Sequence, residues 1–97
     1  MTVKSLAFTP AAVADLDAIW DYTAEHWSAD QADRYIDGLR DVCLELADGT
    51  RTGRVVEVRP GYLKQAVGSH MIYFRLGDGR VQVMRILHQS MDVARRL

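Results

Sequence analysis

Ninety-seven residues, 48% hydrophobic and 26% charged, suit one soluble domain built round a single core. No apolar run approaches the ~20 residues of a membrane-spanning helix, and the start, MTVKSLAFTP, offers no stretch that could serve as a secretory signal. One cysteine cannot form an internal disulfide, which fits a reducing cytoplasm. The net charge of −1 hides an asymmetry: residues 1–50 hold three bases against ten acids (−7), and residues 51–97 hold nine bases against three acids (+6). Such a split can orient a protein toward a charged partner. It is equally what acidic helix surfaces and basic strand edges produce.

"VKSLAF" (3–8) alternates apolar and polar residues, as a short strand does. Thr9-Pro10 then opens a helix, with Thr9 capping its orphan amides and Pro10 losing no hydrogen bond at the first helical position. Val13, Leu16, Ile19, Trp20, Thr23 and Trp27 make its apolar stripe, while Asp15, Asp17, Asp21 and Glu25 are expected to face water. Ser28 and Gln31 have capping-box spacing, so a second helix starts almost without a loop. Its stripe runs Ala32, Tyr35, Ile36, Leu39, Val42, Cys43, Leu46 and stops at Asp48-Gly49.

From Arg54 the period changes to two. "RVVEVR", "YLKQAV", "HMIYFRL" and "RVQVMRILH" read as four strands, broken at Pro60-Gly61, Gly68-Ser69 and Gly77-Asp78-Gly79. Such short breaks make neighbours antiparallel, and the long apolar run 80–88 belongs at the centre. The expected fold class is therefore α+β: an N-terminal strand, an antiparallel helix hairpin packed on one face of a C-terminal antiparallel sheet, and a short C-terminal helix, all in one domain over 1–97. Strict alternation in 80–88 puts Val81, Val83, Arg85 and Leu87 on one face. Gln82, Met84, Ile86 and His88 take the other, and the Met84–Ile86 face is expected against the helices. Arg85 then lies on an open, concave face. Asp92 is placed to cap the terminal helix.

Chemical motifs are sparse. Cys43 lies on an apolar stripe and reads as packing, since a reactive thiolate needs an electropositive, accessible setting. His26, His70 and His88 are scattered, without metal-ligand spacing, so neither metal nor cofactor is expected. "GDG" at 77–79 is a hairpin turn rather than a phosphate loop. His88, Ser90 and Asp92 have the residue types of a nucleophile triad, but three such residues within five positions rarely converge. A small nuclease would need cations and bases gathered on one sheet face; Arg75 and Arg85 qualify, but His70 and Tyr73 point to opposite faces.

The Thr-Pro-initiated hairpin, "GYLKQAVGSHMIYFRL", the turn "GDG" and "VQVMRILHQSMD" together resemble the RelE/ParE superfamily of bacterial toxins. The resemblance spans Leu6 to Leu97, and is most specific at Gly68 with "HMIYFR" and at "RILH" followed by Met91-Asp92. It leans to the ParE branch. It implies a toxin paired with a ParD-type antitoxin, and that branch is understood to poison DNA gyrase. The RelE branch instead cleaves mRNA with arginine, lysine and a late tyrosine. Here those places fall near His70, Ser90 and Arg96, which removes the nuclease chemistry.

Three readings follow: a gyrase poison held inactive by its antitoxin, a ribosome-dependent mRNA endonuclease using Tyr73, Arg75, Arg85 and His88, and a binding module without toxicity. Under the first, Trp20, Trp27 and Tyr35 serve as aromatic anchors for the antitoxin, and Arg59, Lys64, Arg75 and Arg85 pair with its acids. His88, Arg95, Arg96 and Leu97 are the expected contacts to the target. No catalytic residue, membrane contact or sequence-specific nucleic-acid binding is expected.

Overall fold

A computed structural model describes residues 4–91 and 93–97. Val3 of the expected first strand and the expected cap at Asp92 lie outside the described residues. The elements are β1 (Ser5–Phe8), α1 (Pro10–His26), α2 (Ala29–Asp48), β2 (Arg54–Val55), β3 (Leu63–Val67), β4 (His70–Gly77), β5 (Arg80–His88) and α3 (Val93–Arg96). The sheet order is β1-β5-β4-β3-β2. The four C-terminal strands are antiparallel neighbours, whereas β1 lies parallel to β5 through residue 83, so the whole sheet is mixed. β5 is an inner strand, as its apolar run requires, with β4 at the middle.

Local chemistry places the helices. Thr9 Oγ1 accepts the Ala12 amide and Pro10 starts α1. Ser28 Oγ accepts the Gln31 amide, and Gly49 closes α2 in the left-handed conformation. The buried face of α1 is Ala12, Leu16, Ile19 and Thr23. Val13 and Trp27 leave the expected stripe: they are 47% and 68% exposed, Trp27 because it lies past the last helical turn. The α2 stripe holds as expected, with Cys43 fully inside and its thiol pushed up to about 12 by burial.

Two further expectations change. Only Arg54–Val55 of "RVVEVR" is strand. The chain then turns, with the Val56 amide donating to the Tyr62 carbonyl at 3.0 Å across Pro60-Gly61 and both residues burying their side chains. The alternation of β5 also breaks. Tyr73 faces Arg85 but Phe74 faces Val83, so Met84 is an extra residue in a β-bulge. Val81, Val83 and Ile86 therefore all join the core under the helices, together with Ile72 and Phe74. Met84 and Leu87 pack on the opposite face with Val56, Tyr62 and Tyr73. The expected Met84–Ile86 face does not exist, because the bulge inserts half a period between its two members.

Where β1 ends, α1 takes over the free edge of β5. Thr9 Oγ1 donates to the Met84 carbonyl at 2.7 Å, and Asp15 Oδ2 accepts the Ile86 amide at 2.9 Å. The same carboxylate receives Arg85 through Nε and Nη2, both at 2.8 Å. Asp15 thus turns inward, against the expectation that it faces water. Its side chain is 14% exposed and that of Arg85 29%.

Leu39 is fully buried between the layers, so Leu39→Ala should cost roughly 2–5 kcal/mol in urea unfolding. Asp15→Asn keeps the shape but removes the charge-assisted bonds, and should cost about 1.5–3 kcal/mol in the same measurement. A loss below ~0.5 kcal/mol for either variant, the range of an ordinary surface change, would contradict the packing described.

Candidate functional site

Two regions gather the chemistry-bearing residues. The first lies where the C-terminal end of α1 and the start of α2 meet the open end of the β4–β5 pair. Tyr22, Thr23, Trp27, Gln31, Tyr35, Ser69, His70 and His88 line a mainly apolar cavity of about 290 Å³ there. Tyr22 stacks on His26 with centroids 3.9 Å apart and meets Trp27 at 6.5 Å, forming an exposed aromatic rim.

The hub of this region is the Tyr35 hydroxyl. It accepts the Ser69 amide at 3.1 Å and lies 2.6 Å from His70 Nδ1 and 3.4 Å from the Val67 carbonyl. Burial pushes the phenol up from its ordinary value. Gly68 makes room for it: a Cβ there would come within 2.8 Å of the Tyr35 oxygen, and the residue sits at φ +54°. Burial holds the His70 imidazole below its ordinary value, and the charge of His88 adds to that, while Asp15 partly opposes it. His88 Nδ1 contacts the Ser90 hydroxyl at 2.7 Å, a local turn contact.

The second region is the outer sheet face. Arg54, Lys64, Tyr73, Arg75 and Gln82 occupy facing positions on β2 to β5. Arg59 and Arg75 both lie over the Tyr62 ring, 5.1 and 5.6 Å from its centroid. The C-terminal helix settles here. Val93 and Leu97 pack against Tyr62, Tyr73 and Leu87, Arg59 Nη1 donates to the Leu97 carbonyl at 2.6 Å, and Arg85 Nη1 reaches the Arg96 carbonyl at 3.4 Å. Tyr73, 3% exposed beneath this cover, has its phenol pushed up by burial.

The residues picked out from the sequence therefore divide between the regions. Trp27 and Tyr35 share the aromatic cavity, while Trp20 packs on the core edge with its Nε1 donating to Asp33 Oδ1 at 2.8 Å. Arg59, Lys64 and Arg75 share the outer face. Arg85 carries an internal ion pair instead of an open guanidinium, and the hydrogen bonds it donates to Asp15 raise its already high pKa. His88 belongs to the cavity and is separated from Arg96 and Leu97 on the outer face. Reading the sequence missed Asp15, Tyr22 and Gln31. The first was hidden in an acidic surface pattern, and the others become partners only once α1 and α2 are docked on β4.

A helix hairpin on one face of a five-stranded sheet, with a short basic helix on the other, is the architecture of the RelE/ParE toxins. The family described as "ParE toxin of type II toxin-antitoxin system, parDE" matches residues 6–93, and the chain belongs to it. It is 45% identical over 91 residues to Toxin ParE1 of Mycobacterium tuberculosis, covering 92% of this chain and 93% of that one. With Toxin ParE1 of Caulobacter vibrioides it shares 36% identity over 96 residues, covering 98% and 99% of the two chains. Among solved structures, a chain of the chromosomal ParDE system from P. aeruginosa superposes with a TM-score of 0.79 at 26% identity, covering 89% of this chain and 96% of that one. A chain of the RelBE2 toxin-antitoxin complex of Mycobacterium tuberculosis gives 0.69 at 18% identity, covering 94% and 97%, a likeness of fold.

The depressed His70 pKa has a consequence for stability. The unfolded chain takes up this proton near the ordinary value of 6.5, and the folded chain only at lower pH. Stability should be complete above that value and fall as the pH drops through it, until the folded imidazole is also protonated. Urea midpoints measured across this window should show the slope in the parent chain and a flatter one in His70→Gln. Equal slopes would assign the effect elsewhere.

Proposed function

We propose that the chain arrests growth by poisoning DNA gyrase and is neutralised in the cytoplasm by direct binding of a ParD-type antitoxin. Membership of the ParE family supports the toxin role. The observation that carries the choice against mRNA cleavage is the condition of the outer face. Tyr73 is buried under the terminal helix and Arg85 is engaged by Asp15, so two of the four groups a nuclease would use are withdrawn from substrate. A general acid or base must reach the proton it moves, and a buried phenol with a raised pKa does not.

The antitoxin reading draws support from the related folds found in toxin-antitoxin systems. Trp27 and Tyr35 offer an aromatic seat on the helix side, and Arg59, Lys64 and Arg75 offer cations on the outer face. One segment that folds on binding could use both only by crossing the molecule's edge, which favours an extended, wrapping partner with acidic residues toward its outer-face end. Trp20 and Arg85 contribute from beneath, by fixing the helix hairpin and β5. The target contact is assigned to the exposed cationic end of α3, Arg95 and Arg96, with Leu97 at its margin; His88, in the cavity on the helix side, takes no part in it.

Induction of the chain alone should give DNA breaks with intact mRNA. Arg95→Glu/Arg96→Glu should relieve growth arrest while thermal midpoint and antitoxin binding are kept, since Val93 and Leu97 remain packed. Codon-specific mRNA cuts without DNA breaks would overturn the gyrase reading. Hydrogen exchange on mixing with the cognate antitoxin should protect amides around Trp27–Tyr35 and along β3 and β4; protection confined to β1 would refute the placement.

A further inference from the structure

The β4–β5 register sets His70 directly opposite His88, on the helix side of the sheet and at the floor of the aromatic cavity. Their ring centroids are 5.4 Å apart and their planes nearly perpendicular, at 80°. Each ring already has its Nδ1 engaged, by the Tyr35 hydroxyl at 2.6 Å and by the Ser90 hydroxyl at 2.7 Å. Nε2 is the remaining nitrogen on both rings. We propose that His70 and His88 form a two-imidazole site for a first-row divalent cation that favours nitrogen ligands, of the Zn²⁺, Ni²⁺ or Cu²⁺ class.

The spacing is the first support. A tetrahedral zinc-type ion holds each imidazole nitrogen at ~2.0–2.1 Å, and the ring centre lies roughly 1.1 Å further out, so two such rings have centres about 5.2 Å apart. The observed 5.4 Å matches this spacing. The orientation of the rings is the second. An imidazole ligand is normally held by a hydrogen bond from its other nitrogen, which fixes the ring and its tautomer. When the Tyr35 hydroxyl donates toward the Val67 carbonyl it can accept from His70 Nδ1–H, and that tautomer leaves a lone pair on Nε2. At His88 the Ser90 amide donates to Nδ1 at 3.2 Å, so binding requires the ring proton to move to Nδ1 and donate to Ser90 Oγ instead.

The donor set decides the class of ion. Two neutral nitrogens and no carboxylate do not suit Ca²⁺ or Mg²⁺, which take oxygen ligands. Among the described residues no third histidine, cysteine or acid joins the pair, so water completes the coordination. The site is accordingly an exchangeable one, weaker than a four-ligand structural zinc. A bound ion would tie the start of β4 to the end of β5 beneath the cavity rim, and would raise the thermal midpoint because the unfolded chain lacks the pair's geometry.

Titration of the tag-free full chain with NiCl₂ or ZnCl₂ near neutral pH, followed by calorimetry and thermal unfolding, tests this. One saturable site and a midpoint that rises with metal are expected, with no response to MgCl₂. Both effects should vanish in His88→Ala, an exposed position whose fold can be checked by circular dichroism, and in His70→Ala, and persist in His26→Ala. No saturable uptake by the parent chain, full uptake in His88→Ala, or uptake abolished by His26→Ala would each overturn the assignment.

Discussion

The carboxylate of Asp15 holds the helix layer to the sheet at the point where β5 loses its strand neighbour. Beyond Val83 the outer edge of β5 has no β1 beside it, and an uncovered strand edge leaves amides and carbonyls without partners. Thr9 takes the Met84 carbonyl and Asp15 takes the Ile86 amide, so α1 acts as a substitute strand made of side chains. Arg85 neutralises the partly buried carboxylate with a two-pronged contact, the geometry in which an arginine–carboxylate pair is strongest. The position of α1 along β5 follows, and with it that of α2.

The second constraint is the bulge at Met84, which lets one strand serve two cores. Without it, period two would send either the valines or Ile86 outward. With it, Val81, Val83 and Ile86 all meet the helices, while Met84 and Leu87 supply the outer cluster on which the terminal helix rests. The outer face is thereby half closed. Its middle is apolar and covered, and its cations lie at the margins, on Arg54, Lys64 and Arg75.

The two regions differ in chemistry, and that difference supports separate roles. The cavity at the helix ends is aromatic, with imidazoles at its floor and a tyrosine fixed in place by a glycine that leaves space for nothing larger. The outer face is cationic around a tail anchored through Leu97 and Arg59. A partner that recognises both must be extended, whereas a partner of the tail alone needs only a compact acidic surface. This asymmetry also gives physical content to the charge split between the two halves of the chain: the acids lie on the helices and most bases on the sheet and tail.

Much of the architecture could be read from the chain alone, because helix caps, three-four stripes and turn residues act over a few positions. Thr9-Pro10, Ser28 and Asp48-Gly49 delimited both helices, and Asp78-Gly79 marked the tight β4–β5 turn, from interactions within four residues of themselves. Membership of the toxin superfamily was legible for the same reason, since it rests on the order and spacing of such local pieces. Three features were decided only by the tertiary structure. The bulge at Met84 follows from fitting β5 to both β1 and β4, and nothing in "VMRI" signals it. The inward turn of Asp15 depends on an edge created seventy-one residues later in the chain, at Ile86. The pairing of His70 with His88 comes from strand register, which brings together side chains whose separation in sequence carries no ligand pattern. Local chemistry sets where elements begin and end, but long-range pairing sets which side chains meet.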